Sequence, residues 1–318
     1  MNKPVVLTAS RLPLLYLEPL LATYELHDRL HETDPTALSA VAPRVRGIAA
    51  SGESKVPGSL IAQLPALEVI SVMGVGYDGV DVQAAKERGI KVTHTPNVLN
   101  DEVADTAIGL MLCAARQLPA ADRFVRSGQW LKGPMPLTRK MSGARLGIVG
   151  MGRIGQAIAH RALAFDMSVS YTARSPKPEL TYAFYESAEK LAAASDFLVI
   201  ITPGGAGTLK MINAAVLKAL GPTGVLVNVA RGSVVDETAL IAALQEGSLG
   251  GAALDVFESE PQVPQALIDL PQVVLSPHIG SATVQTRQAM CDLALSNLSE
   301  HFASRPVLSM VPELGPNR

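Results

Sequence analysis

The chain reads as an α/β protein built from two doubly wound parallel-sheet domains, and three observations carry that reading. Short apolar runs alternate with helix-period stretches along nearly the whole length. One of those runs, Leu146 to Val149, ends in a Gly-x-Gly-x-x-Gly turn that opens a helix. At 318 residues and 33.4 kDa, the chain also has room for two domains that each bury a core.

In chain order, apolar runs predict strands at Pro4 to Thr8, Val45 to Ala50, Leu67 to Val72 and Lys91 to Thr95, with helices between them. Asn100-Asp101-Glu102 then supplies a cap and an acidic first turn to a long helix through Leu112, which carries the chain into a second domain. Gly133, Pro134 and Pro136 mark a loop after it. Six further strands follow, at Arg145 to Val149, Ser168 to Thr172, Phe197 to Thr202, Gly224 to Val229, Ala252 to Val256 and Val273 to Ser276. A closing helix from about Thr283 to Phe302, rich in Met, Leu and Ala, is expected to return to the first domain.

The glycine turn has the make-up of a pyrophosphate cradle. Gly150 allows a tight turn, Gly152 admits an anion close to the backbone, and Gly155 lets the new helix pack on the strand; Arg153 and Ile154 lie between them. The next strand, Met167 to Thr172, completes a βαβ unit. An acidic residue about 20 positions after the glycines would bind the ribose 2′-hydroxyl of NAD. The chain has Ala173-Arg174-Ser175-Pro176-Lys177 there instead. Arg174, Ser175 and Lys177 suit a 2′-phosphate, so the expected cofactor is NADP, with NADPH preferred over NADH. Ordinary solvated loop charges are the alternative for Arg174 and Lys177.

Composition narrows the partners. A net charge of -2 and a pI near 6.3 offer no broad basic field for nucleic acid and favour a small-molecule partner. The two cysteines, Cys113 and Cys291, lie in apolar helical patterns without metal-ligand spacing, so no metal is expected and the thiols suit a reducing compartment. The first apolar run is too short for a signal peptide, and no run approaches a membrane span, which points to a soluble, cytoplasmic protein without membrane contact.

Three polar residues sit at the carboxyl ends of the last strands. Arg231 follows Asn228-Val229-Ala230, Glu260 follows Asp255-Val256-Phe257, and His278 follows Ser276-Pro277. In an open parallel sheet these ends line the ligand crevice, on the same edge as the glycine turn. Together they fit reduction of a 2-keto acid: Arg231 binds the carboxylate and polarises the ketone, His278 donates the proton, and Glu260 orients the imidazole. Singly, each also has a structural role open to it: a strand cap, a surface turn, a structural histidine.

These motifs, with Gly74-Val75-Gly76-Tyr77-Asp78 and the stretch Asp105 to Arg116, resemble those of the D-2-hydroxyacid dehydrogenases, in particular the glyoxylate, hydroxypyruvate and hydroxyphenylpyruvate reductases. The resemblance implies Arg231 as substrate anchor, His278 as acid/base, Glu260 as its partner, and backbone amides near Val75 and Gly76 holding the carboxylate. It further implies cofactor contacts from Thr202, Pro203, Thr208, Val229, Ala230, Asp255 and Gly280, with Asp255 near the nicotinamide. Pro203-Gly204-Gly205 departs from the family, where a bulky residue commonly follows the proline. The implied architecture is a Rossmann cofactor domain, residues 100–283, inserted into a smaller flavodoxin-like substrate domain, residues 1–99 and 284–318, with the two linking segments as a hinge. The implied product is a D-2-hydroxy acid and the implied assembly a homodimer. Trp130 would then belong to an arm reaching the partner's site, with a buried core tryptophan as the alternative. A bulkier substrate, such as hydroxyphenylpyruvate or 2-ketogluconate, and a non-catalytic dinucleotide sensor on the same fold both stay open.

Overall fold

The computed structural model describes residues 3–315, which form two compact units, residues 3–99 with 283–315, and residues 100–282. Each is an open, wholly parallel sheet.

The first unit holds β1 (Val5–Thr8), β2 (Glu25–Asp28), β3 (Val45–Ser51), β4 (Val69–Met73) and β5 (Lys91–Thr93) in the order β2-β1-β3-β4-β5. That is a flavodoxin-like winding. β1 and β4 are buried at every position, as parallel strands covered on both faces must be, and this is why they read as unbroken apolar runs. The helix Val284–Phe302 is capped by Thr283, whose hydroxyl accepts the Thr286 amide at 3.1 Å, and packs on β4. Buried Ser71 fixes that packing by donating to the Ala294 carbonyl at 2.8 Å. β2 is a strand that apolar pattern did not predict. Its sequence, Glu-Leu-His-Asp, is polar because an edge strand is only half covered.

The second unit adds β6 (Arg145–Val149), β7 (Ser168–Thr172), β8 (Ala183–Phe184), β9 (Phe197–Ile200), β10 (Val225–Asn228), β11 (Gly251–Leu254) and β12 (Val273–Leu275), ordered β12-β11-β10-β9-β6-β7-β8. The six predicted strands are joined by β8, two residues long and too short to leave a periodic signal. The chain runs outward from β6 to β8 and then crosses back to β9, so the winding reverses between β6 and β9. Ligands of open α/β sheets bind outside the carboxyl ends of the strands at such a reversal. The core lies between the sheet and its helices, with Leu191, Phe197, Leu198, Leu217 and Leu226 fully buried.

Trp130 lies on a short 3-10 turn, Gln129–Lys132, and is 67% exposed. The buried-core alternative for it is thereby overturned. Among the described residues, no helix is long and apolar enough to cross a membrane.

Candidate active site

The glycine turn after β6 leaves room for an anion. Gly150 adopts φ +104°, and a Cβ there would lie 2.8 Å from the Ile201 carbonyl oxygen. At Gly155 a Cβ would come within 2.2 Å of the Gly150 carbonyl oxygen, so helix and turn meet backbone to backbone. Gly152 caps the eleven-residue helix Arg153–Leu163 with no side chain of its own, and a Cβ there would meet nothing within 4 Å. No side chain caps the helix start, which suits a dinucleotide pyrophosphate. Arg153 is exposed and Ile154 partly buried.

Beyond β7, Arg174 and Ser175 are exposed and Lys177 is partly buried. The Lys177 amide donates to the Tyr171 hydroxyl at 2.7 Å, and its ammonium lies 3.9 Å from Glu179. Thr202 and Pro203 follow β9 at the reversal point. The Thr208 hydroxyl donates back to the Pro203 carbonyl at 2.7 Å and so folds the Pro203-Gly204-Gly205 loop on itself. Gly205 sits at φ +118° with open space around it.

At the carboxyl end of β10, Asn228 is 1% exposed and braces the chain that carries Arg231. Its Oδ1 accepts the Ala230 amide at 3.1 Å and its Nδ2 donates to the Arg231 carbonyl at 3.0 Å. Val229 and Ala230 are buried beneath. The Arg231 guanidinium donates to the Ala230 carbonyl at 2.8 Å. Gly232 lies so close to the next loop that a Cβ would be 1.9 Å from the Phe257 carbonyl carbon. Only glycine permits that approach, and it locks the Arg231 loop to the Glu260 loop.

Glu260 is tied at both oxygens. Oε1 accepts the Phe257 amide at 2.8 Å, and Oε2 pairs with Nδ1 of His278 at 2.7 Å. Partial burial alone would raise the Glu260 pKa, but the bonds to His278 and Phe257 and the charges of His278 and Arg231 outweigh it. The net shift is downward, and the group is a carboxylate at neutral pH.

His278 is set by Asp255, which is 2% exposed. The Asp255 carbonyl accepts the His278 amide at 2.8 Å, and its carboxylate accepts Ile279 at 2.9 Å, Gly280 at 2.8 Å and the Ser276 hydroxyl at 2.6 Å.

In the first unit, the loop after β4 carries Val75 and Gly76, both partly buried. Gly74 abuts Gly52, where a Cβ would be 2.9 Å from Cα. Thr95 donates its amide to the Gly74 carbonyl at 2.8 Å. His94 Nδ1 lies 3.0 Å from the Val75 carbonyl, which can only accept, so that nitrogen carries the proton. Ser309 in turn donates to the His94 carbonyl at 2.6 Å.

Arg231, Glu260, His278, Asp255 and Gly280 thus share the sheet edge that carries Gly150 and Thr202. Sequence reasoning did not single out Asn228, Ser276 or His94 as supports. Asn228 left a signal, a polar residue closing an otherwise apolar strand; the other two become legible only from their partners.

The family model for the D-isomer specific 2-hydroxyacid dehydrogenase NAD binding domain matches residues 108–280 of this chain. The chain belongs to the D-isomer specific 2-hydroxyacid dehydrogenases. Among curated relatives, this dehydrogenase is 48% identical over 274 residues to hydroxyphenylpyruvate reductase of Plectranthus scutellarioides, covering 86% of this chain and 88% of that one. It is 48% identical over 267 residues to a glyoxylate/hydroxypyruvate reductase of Arabidopsis thaliana, covering 84% and 85%. Its fold matches the NADPH-dependent glyoxylate/hydroxypyruvate reductase of Sinorhizobium meliloti, solved with NADP and malonate, at TM-score 0.94 and 46% identity over 100% and 99% of the two chains. The dehydrogenase therefore carries the dinucleotide-binding unit of its family on the sheet edge that also holds Arg231, Glu260 and His278.

Proposed function

We propose that the protein reduces a small 2-keto acid, glyoxylate or hydroxypyruvate, to the D-2-hydroxy acid, with NADPH preferred over NADH. The 2.7 Å pair between Glu260 and His278 carries this reading, because a carboxylate on Nδ1 favours imidazolium and orients Nε2 as proton donor. Arg231, braced by Asn228, serves as the substrate anchor, with the Val75 and Gly76 amides binding the carboxylate. When bound, NADPH supplies the hydride. Gly150, Gly152, Arg153, Ile154 and Gly155 hold its pyrophosphate, and Arg174, Ser175 and Lys177 its 2′-phosphate. Thr202, Pro203, Thr208, Val229, Ala230, Asp255 and Gly280 line the remainder of that groove. The Sinorhizobium neighbour, solved with NADP, supports the cofactor assignment.

Residues 1–99 and 284–318 act in this account as the substrate domain, and residues 100–283 as the cofactor domain. Exposed Leu118, Val125, Trp130, Leu131 and Leu137 support a homodimer formed through this segment. Free Cys113 and Cys291 suit the cytoplasm. A bulkier 2-keto acid is the second reading, favoured by the likeness to hydroxyphenylpyruvate reductase. A sensor without catalysis is disfavoured, since it has no use for an imidazole aligned by a carboxylate. Steady-state NADPH oxidation with glyoxylate, hydroxypyruvate, hydroxyphenylpyruvate and 2-ketogluconate tests the reading. The expected result is the highest kcat/KM on the two small acids; no oxidation with any acid supports the sensor.

A further inference from the structure

We propose that Tyr171, a core residue, is a specificity-determining residue for NADPH, because its phenolic oxygen sets the shape of the turn from Arg174 to Lys177. The proposal rests on the assignment of that turn to the 2′-phosphate. Tyr171 lies within β7, paired through its backbone to Ile148 of β6 and Phe184 of β8. It is 1% exposed, and its ring meets Phe184 edge-on at 5.5 Å. The ring is therefore packed within the core, and the hydroxyl is held in place with it. That hydroxyl accepts the Lys177 amide at 2.7 Å across a span of six residues.

Arg174 and Ser175 lie between the two anchored points, both pointing into solvent-exposed surface, followed by Pro176 with its fixed φ. Thr172 at the start of this segment is itself held, accepting the Gly150 amide at 2.9 Å. The same strand end thus links the pyrophosphate turn to one side of the loop, while the Tyr171 oxygen links the other side to the core. The second backbone bond of Lys177, from the Leu180 amide to its carbonyl at 3.0 Å, is local to the loop and adds no tie to the sheet. A turn already ordered loses less freedom when its guanidinium, hydroxyl and ammonium close on an anion. NADH has no phosphate for this turn and gains nothing from its order. Tyr171 consequently discriminates between cofactors without touching either.

Tyr171→Phe removes one oxygen and keeps the ring packing. With Arg174→Ala as the reference variant, the KM for NADPH and for NADH is measured at saturating keto acid. Tyr171→Phe is expected to raise the KM for NADPH about three- to ten-fold, the usual worth of one hydrogen bond, with kcat and the KM for NADH within about two-fold of native. The double variant is expected to lose less than the product of the two single losses, because both act through one turn. Selectivity in Arg174→Ala with none in Tyr171→Phe overturns the role of Tyr171 alone. Equal rises for both cofactors in Tyr171→Phe also overturn it, since they mark general damage to the sheet. No selectivity in Arg174→Ala overturns the phosphate assignment and the proposal with it.

Discussion

The backbone of His278 hangs from Asp255: the Asp255 carbonyl accepts the His278 amide at 2.8 Å, and the buried carboxylate holds the two amides that follow. His278 has φ +53°, a left-handed conformation that costs a non-glycine residue about 1 kcal/mol or more. Three bonds to one residue offset that cost and aim the imidazole at Glu260. Asp255→Asn turns one acceptor oxygen into an NH2 group facing an N–H. We expect kcat with glyoxylate to fall about ten- to a hundred-fold, equivalent to about 1.4–2.7 kcal/mol. Steady-state kinetics beside a thermal-unfolding control checks this, and a native kcat would contradict it.

In the proposed mechanism, Glu260 sets the pH range of reduction. Its carboxylate favours the protonated imidazole, which is the form that donates. In Glu260→Gln the neutral amide no longer holds the proton, so activity in the reducing direction is lost at lower pH than in the native enzyme. Rate profiles against pH, with an isotope effect to establish that chemistry limits the rate, give the comparison. An alkaline limb that stays in place would separate Glu260 from the proton donor.

Arg174→Ala tests the cofactor assignment on its own. Losing one charged phosphate contact costs about 1.5–3 kcal/mol, or roughly ten- to a hundred-fold in the KM for NADPH. The KM for NADH is expected to change little. Parallel losses for both cofactors would show that the guanidinium serves the fold and not the phosphate.

At the opposite sheet edge, Asp196 accepts from the Arg145 amide at 2.8 Å and from its guanidinium at 3.0 and 3.2 Å, joining β6 to the turn before β9. The side-chain bond from Arg145 holds the Asp196 pKa below its ordinary value, against an opposing effect of burial. A depressed carboxyl stabilises the fold above its unfolded pKa of about 4, and that contribution fades as pH falls through the folded pKa. Asp196→Asn should therefore lose about 1 kcal/mol at neutral pH, the modest figure reflecting a partly exposed pair. Chemical denaturation of both proteins across pH reads the difference. A gap that persists undiminished in acid would rule out the ion pair as its source.

Most of the fold was legible because parallel strands covered on both faces must be apolar throughout, and runs such as Val69 to Met73 carry that demand openly. β2 and β8 escaped for the converse reason: one is polar at a half-covered edge, the other two residues long. The three residues proposed for catalysis stood out because Arg231 and His278 each lie three positions beyond a strand end, at β10 and β12, and Glu260 lies in the loop that follows β11. Their supports were less so. Gly232 reads as an ordinary turn glycine until the Phe257 backbone is found against it. His94 follows β5 closely, and nothing local announces that it reaches the Val75 carbonyl. Such roles arise where loops distant in sequence meet, which no periodicity records.

Chiral analysis of the glycerate formed from hydroxypyruvate and NADPH tests the central claim most directly. In the proposed reaction, Arg231 anchors the substrate carboxylate and the ketone oxygen is directed at His278, which would leave a single face of the ketone open to reduction. The reversed substrate would set its carboxylate against Glu260, a poorly paired arrangement costing several kcal/mol. The account predicts D-glycerate with negligible L enantiomer. L-glycerate, a racemate, or no glycerate at all would contradict it.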